Sequence, residues 1–78
     1  PAVATSGSET TVVQQVREAL DRLEPDQKQV VMLREYEGLS YREIADVLKV
    51  PVGTVRSRLF RAKLALRALL APAWAEGA

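Results

Sequence analysis

Residues 52–67, VGTVRSRLFRAKLALR, combine two hydroxyls (Thr54, Ser57), one aromatic ring (Phe60) and five cations (Arg56, Arg58, Arg61, Lys63, Arg67) with no acid. These groups suit recognition rather than bond-breaking. Hydroxyls and guanidinium groups hydrogen-bond base edges in a major groove, and an apolar ring can touch a thymine methyl. Cations at the margins meet phosphates, which position a protein without reading sequence. Catalytic chemistry has little to work with. The chain contains no histidine and no cysteine, so the commonest general base and the commonest metal ligands are absent. Its carboxylates are scattered over helix surfaces and form neither an acid–base pair nor a metal site. The chain reads as a non-enzyme with no cofactor.

A helix must present these groups. On a wheel of about 100° per residue with Val55 inward, Leu59, Ala62, Leu66 and Leu69 share the inward face. Gly53, Thr54, Ser57, Phe60, Arg61 and Leu64 face outward. Arg56, Lys63 and Arg67 lie on one flank and Arg58 on the other. Thr54, Ser57, Phe60 and Arg61 are thus the candidate base-facing residues, and the flanking cations are candidates for the phosphate rails. Gly53 permits close backbone approach, and the helix N-terminus can receive a phosphate. Blander readings stand beside these. Phe60 and Leu64 could be covered by a partner protein, and Lys63 and Arg67 could be merely solvated. Arg58 could pair with an acid on the preceding helix. Arg34 and Arg42 could be surface charges near Glu35 and Glu37.

That helix needs a scaffold. Residues 40–50 supply the first half of a helix-turn-helix, in which two helices cross at about 90–120° over a tight turn. Ser40-Tyr41-Arg42-Glu43 fits a capping box, and Leu39 with Ile44 fits a hydrophobic staple. Ala45 is small where the helices must approach, Val50 is an apolar plug for the turn, and Val55 and Leu59 point inward one turn apart. Lys49 stands where a turn of this kind often has glycine. A left-handed backbone there costs a non-glycine residue about 1–2 kcal/mol, so either the turn differs or the core over-determines it.

Upstream, a first helix is predicted from about Glu9 to Leu23, capped by Ser8 or Thr10. Its apolar stripe is Val12, Val16, Ala19, Leu20 and Leu23. Pro25 ends that helix and suits the first turn of the next. Val30 and Leu33, with Val31 and Tyr36 as further candidates, give helix two its buried side, and Gly38 ends it. Helix four is expected from residues 50–52 to about Leu70, stopped by Pro72 and Gly77. Residues 1–8 read as a flexible linker or cloning remnant, 9–71 as one domain and 72–78 as a tail. Trp74 either packs back on the core or belongs to that tail. No strand signal appears. The expected fold is all-α: four helices with a helix-turn-helix, winged-helix-like in its DNA binding but without strands.

Composition agrees with one small domain. Seventy-eight residues bury only about 60% of their unfolded surface, so stability should be modest. The net charge of +1 conceals a split. Residues 1–46 balance to −4 and residues 47–78 to +5, with no acid between Asp46 and Glu76. The second half should be drawn to a polyanion and the first repelled. No apolar run approaches the roughly 20 residues of a membrane span, and no signal peptide is visible. A cytoplasmic protein without a membrane partner is expected.

Leu23-Glu24-Pro25, Val30, Leu33-Arg34, the run from Glu37 to Ala45 (EGLSYREIA) and the run from Val50 to Ala62 (VPVGTVRSRLFRA) together resemble region four of bacterial sigma factors. The likeness is greatest to the extracytoplasmic-function group, and it covers about residues 12–70. Glu24 departs from the family, which often has a proline there. The resemblance implies that helix four docks in the major groove of the upstream, or minus thirty-five, promoter element. It implies that Arg56, Ser57, Phe60 and Arg61 face bases or adjacent backbone, and that Arg34, Tyr41 and Arg58 lie near phosphates. It also implies two protein partners: the flap tip of the RNA polymerase beta subunit, on the apolar faces of the early helices, and an anti-sigma protein. The promoter-melting region two is not in this sequence, so a fragment or last domain of a longer factor is expected. Two alternatives remain: the DNA-binding output domain of a response regulator, and an interaction module that never touches DNA.

Overall fold

The computed structural model describes residues 7–77, and side chains over residues 11–71. Four helices follow one another: α1 (Gly7–Asp21), α2 (Pro25–Val31), α3 (Tyr41–Leu48) and α4 (Val52–Gly77). A π-helical turn, Met32–Tyr36, prolongs α2. No strand occurs among the described residues. The fold is the all-α helix-turn-helix domain expected from the sequence.

The core lies where α4 crosses the other helices. Val30, Ile44 and Val55 are wholly buried, and Leu20, Leu23, Val31, Ala45, Leu59 and Ala62 close around them. These side chains come from all four helices, so none of the helices could hide its apolar stripe alone. In so small a domain that shared burial is the main source of helix stability. Lys28 Nζ donates to Asp21 Oδ1 at 2.7 Å and ties α2 to the end of α1. This exposed pair contributes at most about 1 kcal/mol.

Several local expectations need correction. Ser8 and Thr10 lie inside α1 rather than capping it, and α1 ends at Asp21 rather than Leu23. Gly7 and Ser8, expected in a linker, are helical; residues 1–6 lie outside the described part. Val12 is exposed; among the described residues the stripe of α1 packs against the core from Val16 onward. Tyr36 is 64% exposed rather than buried. It ends the π-helical turn, whose wider winding rotates side chains off the α-helical period that the expectation assumed. Pro72 does not stop α4, whose helical backbone continues to Gly77. Proline's fixed φ is compatible with a helix. Its general cost inside a helix is one lost backbone hydrogen bond. The side chain of Trp74 falls outside the described residues.

The turn between α3 and α4 matters most for function. Ser40 Oγ accepts from Glu43 N at 3.1 Å, and Ser40 N donates to Glu43 Oε1 at 2.8 Å, completing the capping box. At the other end of α3, Lys49 adopts the left-handed conformation with φ 58° and ψ 48°. Val50 N–H then reaches back to the carbonyl of Ala45 at 3.1 Å, the long bond of a Schellman motif. Val50 and Ala45 both pack on the core. Burial of the residues on either side holds Lys49 where glycine would be unstrained. Of the two possibilities that Lys49 posed, the core over-determines the turn. The chain then enters α4 at once: Pro51 carbonyl accepts from Thr54 N at 3.0 Å and Val55 N at 3.4 Å.

Candidate nucleic-acid interface

One side of α4 is committed to the core, so its opposite side must face solvent. Val55, Leu59 and Ala62 are buried, whereas Gly53, Ser57, Phe60 and Arg61 are exposed. Phe60 is 65% exposed and Leu64, one turn on, 46%. Ser57, Phe60 and Arg61 therefore stand together on a ridge, as their spacing predicts. Thr54 does not stand as far out, being half-buried at the base of the helix. A Cβ added at Gly53 would meet nothing within 4 Å. Packing within the domain thus does not require glycine at that position.

The flanking residues fall into two unlike groups. Tyr41, Arg56, Leu59, Phe60 and Lys63 line a shallow depression between the start of α3 and the second and third turns of α4. The Arg34 guanidinium lies over the Tyr41 ring, 5.1 Å from its centroid, a cation–π arrangement. Arg34 Nη1 also donates to the Leu39 carbonyl at 2.9 Å. Four of the expected phosphate-contacting residues, Arg34, Tyr41, Arg56 and Lys63, are thereby gathered at one corner. The capping box fixes where α3 begins, placing Tyr41 in its first turn. The first-turn amides of α3 at Tyr41 and Arg42 have no acceptor within the helix, and their partial positive charge adds to that of the corner.

Arg58, the fifth, stands apart. Its Nε lies 3.5 Å from Asp26 Oδ2 at the start of α2. The acid that Arg58 meets is on α2, not on α3 as the blander reading supposed. Asp26 and Arg58 are far apart in sequence, and no local pattern could have paired them. Arg34 likewise spends its contact on a backbone carbonyl and a ring rather than on Glu35 or Glu37. The π-helical turn makes this possible. Glu37 N bonds the Met32 carbonyl at 3.1 Å, one residue farther back than α-helical closure would give, and Leu39 N bonds the Leu33 carbonyl at 3.1 Å, two residues farther back. Neither the widened turn nor the Arg34–Tyr41 contact has a signature in residue periodicity.

Among the described residues Arg56, Arg61 and Lys63 have no carboxylate at ion-pair distance, while Arg58 has one. The face offers donors, two aromatic rings (Phe60 and Tyr41) and cations without a carboxylate partner among the described residues. No group of three or more potential metal ligands occurs among the described residues.

Such a short scaffold helix, tight turn and exposed polar second helix define a helix-turn-helix domain. The family model described as "Sigma-70, region 4" matches residues 13–66. The chain belongs to this family. It is 49% identical over 57 residues to the "RNA polymerase sigma-H factor" of Pseudomonas aeruginosa, covering 73% of this chain and 30% of that protein. It is 52% identical over 48 residues to the "ECF RNA polymerase sigma-E factor" of Haemophilus influenzae, covering 62% and 25%. The protein of that name in Escherichia coli is 51% identical over 47 residues, covering 60% and 25%. The chain thus spans less than a third of the length of these relatives. The matches bear out the likeness to the extracytoplasmic-function group and do not favour a response-regulator output domain.

Proposed function

We propose that this domain recognises the upstream, minus thirty-five element of promoter DNA as the region-four part of a sigma factor that directs RNA polymerase to initiation. The observation that carries the proposal is the ridge Ser57–Phe60–Arg61, with a phenyl ring 65% exposed between a hydroxyl and a guanidinium. A ring that exposed gains little from the domain's own core. It gains burial and a thymine-methyl contact in a major groove. Thr54 contributes from the helix base, and Arg56, Lys63, Arg34 and Tyr41 meet phosphates on the flank they share, with Arg58 on the other.

The names of the relatives support RNA polymerase as the assembly in which the domain acts. The beta flap tip is the proposed polymerase contact. The contiguous exposed pair Phe60 and Leu64 also suits an anti-sigma protein that would cover the DNA face. The proposed site of action is the cytoplasm, where promoter and polymerase meet.

One domain of this size buries little area on DNA and neutralises few phosphates. The isolated chain should therefore bind weakly at physiological salt and gain affinity when tethered to polymerase. Fluorescence anisotropy over a salt series, with promoter and scrambled duplexes, tests the reading, alongside capture by polymerase core. Salt-sensitive binding that prefers the promoter duplex supports it. Nanomolar binding by the chain alone would point to a self-sufficient repressor or activator instead. No salt-dependent DNA binding at any concentration would leave only an interaction module.

A further inference from the structure

The pairing of Arg58 with Asp26 has a consequence for affinity that rests on the DNA-binding reading above. Arg58 is the cation of α4 on the flank away from the Tyr41 corner, and its side chain is only 27% exposed. Asp26 is 53% exposed at the start of α2, and its Oδ2 lies 3.5 Å from Arg58 Nε. Pro25 occupies the first position of α2, and Asp26 follows it in the first turn. A carboxylate there interacts favourably with the helix dipole, so Asp26 has a structural reason to sit where it does, independent of Arg58.

A DNA phosphate reaching Arg58 would meet a cation already partnered. If the phosphate displaced the carboxylate, Asp26 would be left within a few ångströms of a second anion. If it did not, the Arg58 charge would stay largely neutralised. Both routes make Arg58 a poorer phosphate ligand than Arg56 or Lys63, which face no carboxylate among the described residues.

We propose that Asp26 is an affinity-limiting residue of the DNA interface: by occupying Arg58 it withholds one cation from phosphate contact and holds down sequence-independent binding. Base reading by Ser57, Phe60 and Arg61 lies on the exposed ridge and is untouched. Asp26 thereby lowers binding to all duplexes without altering the preference among them. A promoter reader that acts only when tethered benefits from this, because a weak sequence-independent term reduces capture by the rest of the genome.

The test is a double-mutant cycle with Asp26→Asn, Arg58→Ala and the double variant, on cognate and scrambled duplexes over a salt series. Circular dichroism and a thermal melt confirm that each variant is folded. Asp26→Asn should tighten binding to both duplexes by about two- to five-fold, the equivalent of one exposed ion pair. It should steepen the salt dependence by up to about one unit. Arg58→Ala should cost more in the Asp26→Asn background than in the wild type. Unchanged or weaker binding by Asp26→Asn overturns the inference, the latter by showing that Asp26 positions Arg58. A gain that persists undiminished without Arg58 overturns it too, since the carboxylate would then act only as bulk negative charge. These failures differ from failure of the DNA-binding reading, in which the wild-type chain itself shows no salt-sensitive binding.

Discussion

On one flank of α4, Arg56 and Lys63 stand beside half-buried Tyr41, whose ring lies under the Arg34 guanidinium. On the other flank, Arg58 faces Asp26 at 3.5 Å. Helical periodicity assigns all of these cations to margins of the same recognition face and cannot rank them. Their surroundings can. The first group is backed by an aromatic ring and the amides of a helix start, whereas Arg58 is backed by a carboxylate. A cation's position on the wheel decides where it points, but the helix packed against it decides how much charge it has to offer.

The widest contrast lies between the two faces of α4. Leu59→Ala removes a side chain only 2% exposed and should destabilise the domain by about 2–5 kcal/mol, read by chemical denaturation. Phe60→Ala, one residue on, should change stability by about 0.5 kcal/mol or less while weakening DNA binding. Comparable losses of stability in both variants would mean that Phe60 belongs to the core, and would break the division into faces.

Arg61→Ala tests the ridge itself. It should weaken binding to the cognate duplex by about 1–3 kcal/mol, the value of a good base contact, and relax the preference at one base pair. Equal loss on scrambled DNA would reduce Arg61 to a phosphate ligand.

The contrast between flanks is sharpened by Arg56→Ala and Arg58→Ala. Arg56→Ala should weaken binding to all sequences alike and flatten the salt dependence by about one unit. Arg58→Ala should do the same by less. Equal effects would mean that Asp26 does not restrain Arg58.

The smallest effect concerns the turn that launches α4. Relief of the left-handed strain at Lys49 would contribute about 1–2 kcal/mol, and the greater freedom of an unfolded glycine offsets about 0.5–1 kcal/mol of it. Lys49→Gly should thus raise stability by about 0.5–1 kcal/mol, visible in the denaturation midpoint. A loss of stability would show that the lysine side chain makes a favourable contact at the turn.

The sequence alone determined the order of the helices, the capping box at Ser40, the inward series Val55, Leu59 and Ala62, and the outward ridge Ser57, Phe60 and Arg61. Each follows from local rules: a hydroxyl three residues before a glutamate, or a repeat close to 3.6 residues. The family, too, was legible in the two runs EGLSYREIA and VPVGTVRSRLFRA. The end of α2 was not, because a π-helical turn breaks the period from which burial is read, leaving Tyr36 outside and carrying Arg34 to Leu39 and Tyr41. The conformation of Lys49 was posed by the sequence and decided by the tertiary structure, since only burial of Ala45 and Val50 could hold a lysine in a glycine's place. The partner of Arg58 was likewise decided only when α2 packed across α4. A contact between residues distant in the chain leaves no periodic trace, and its charge is felt only where the fold brings the two side chains together.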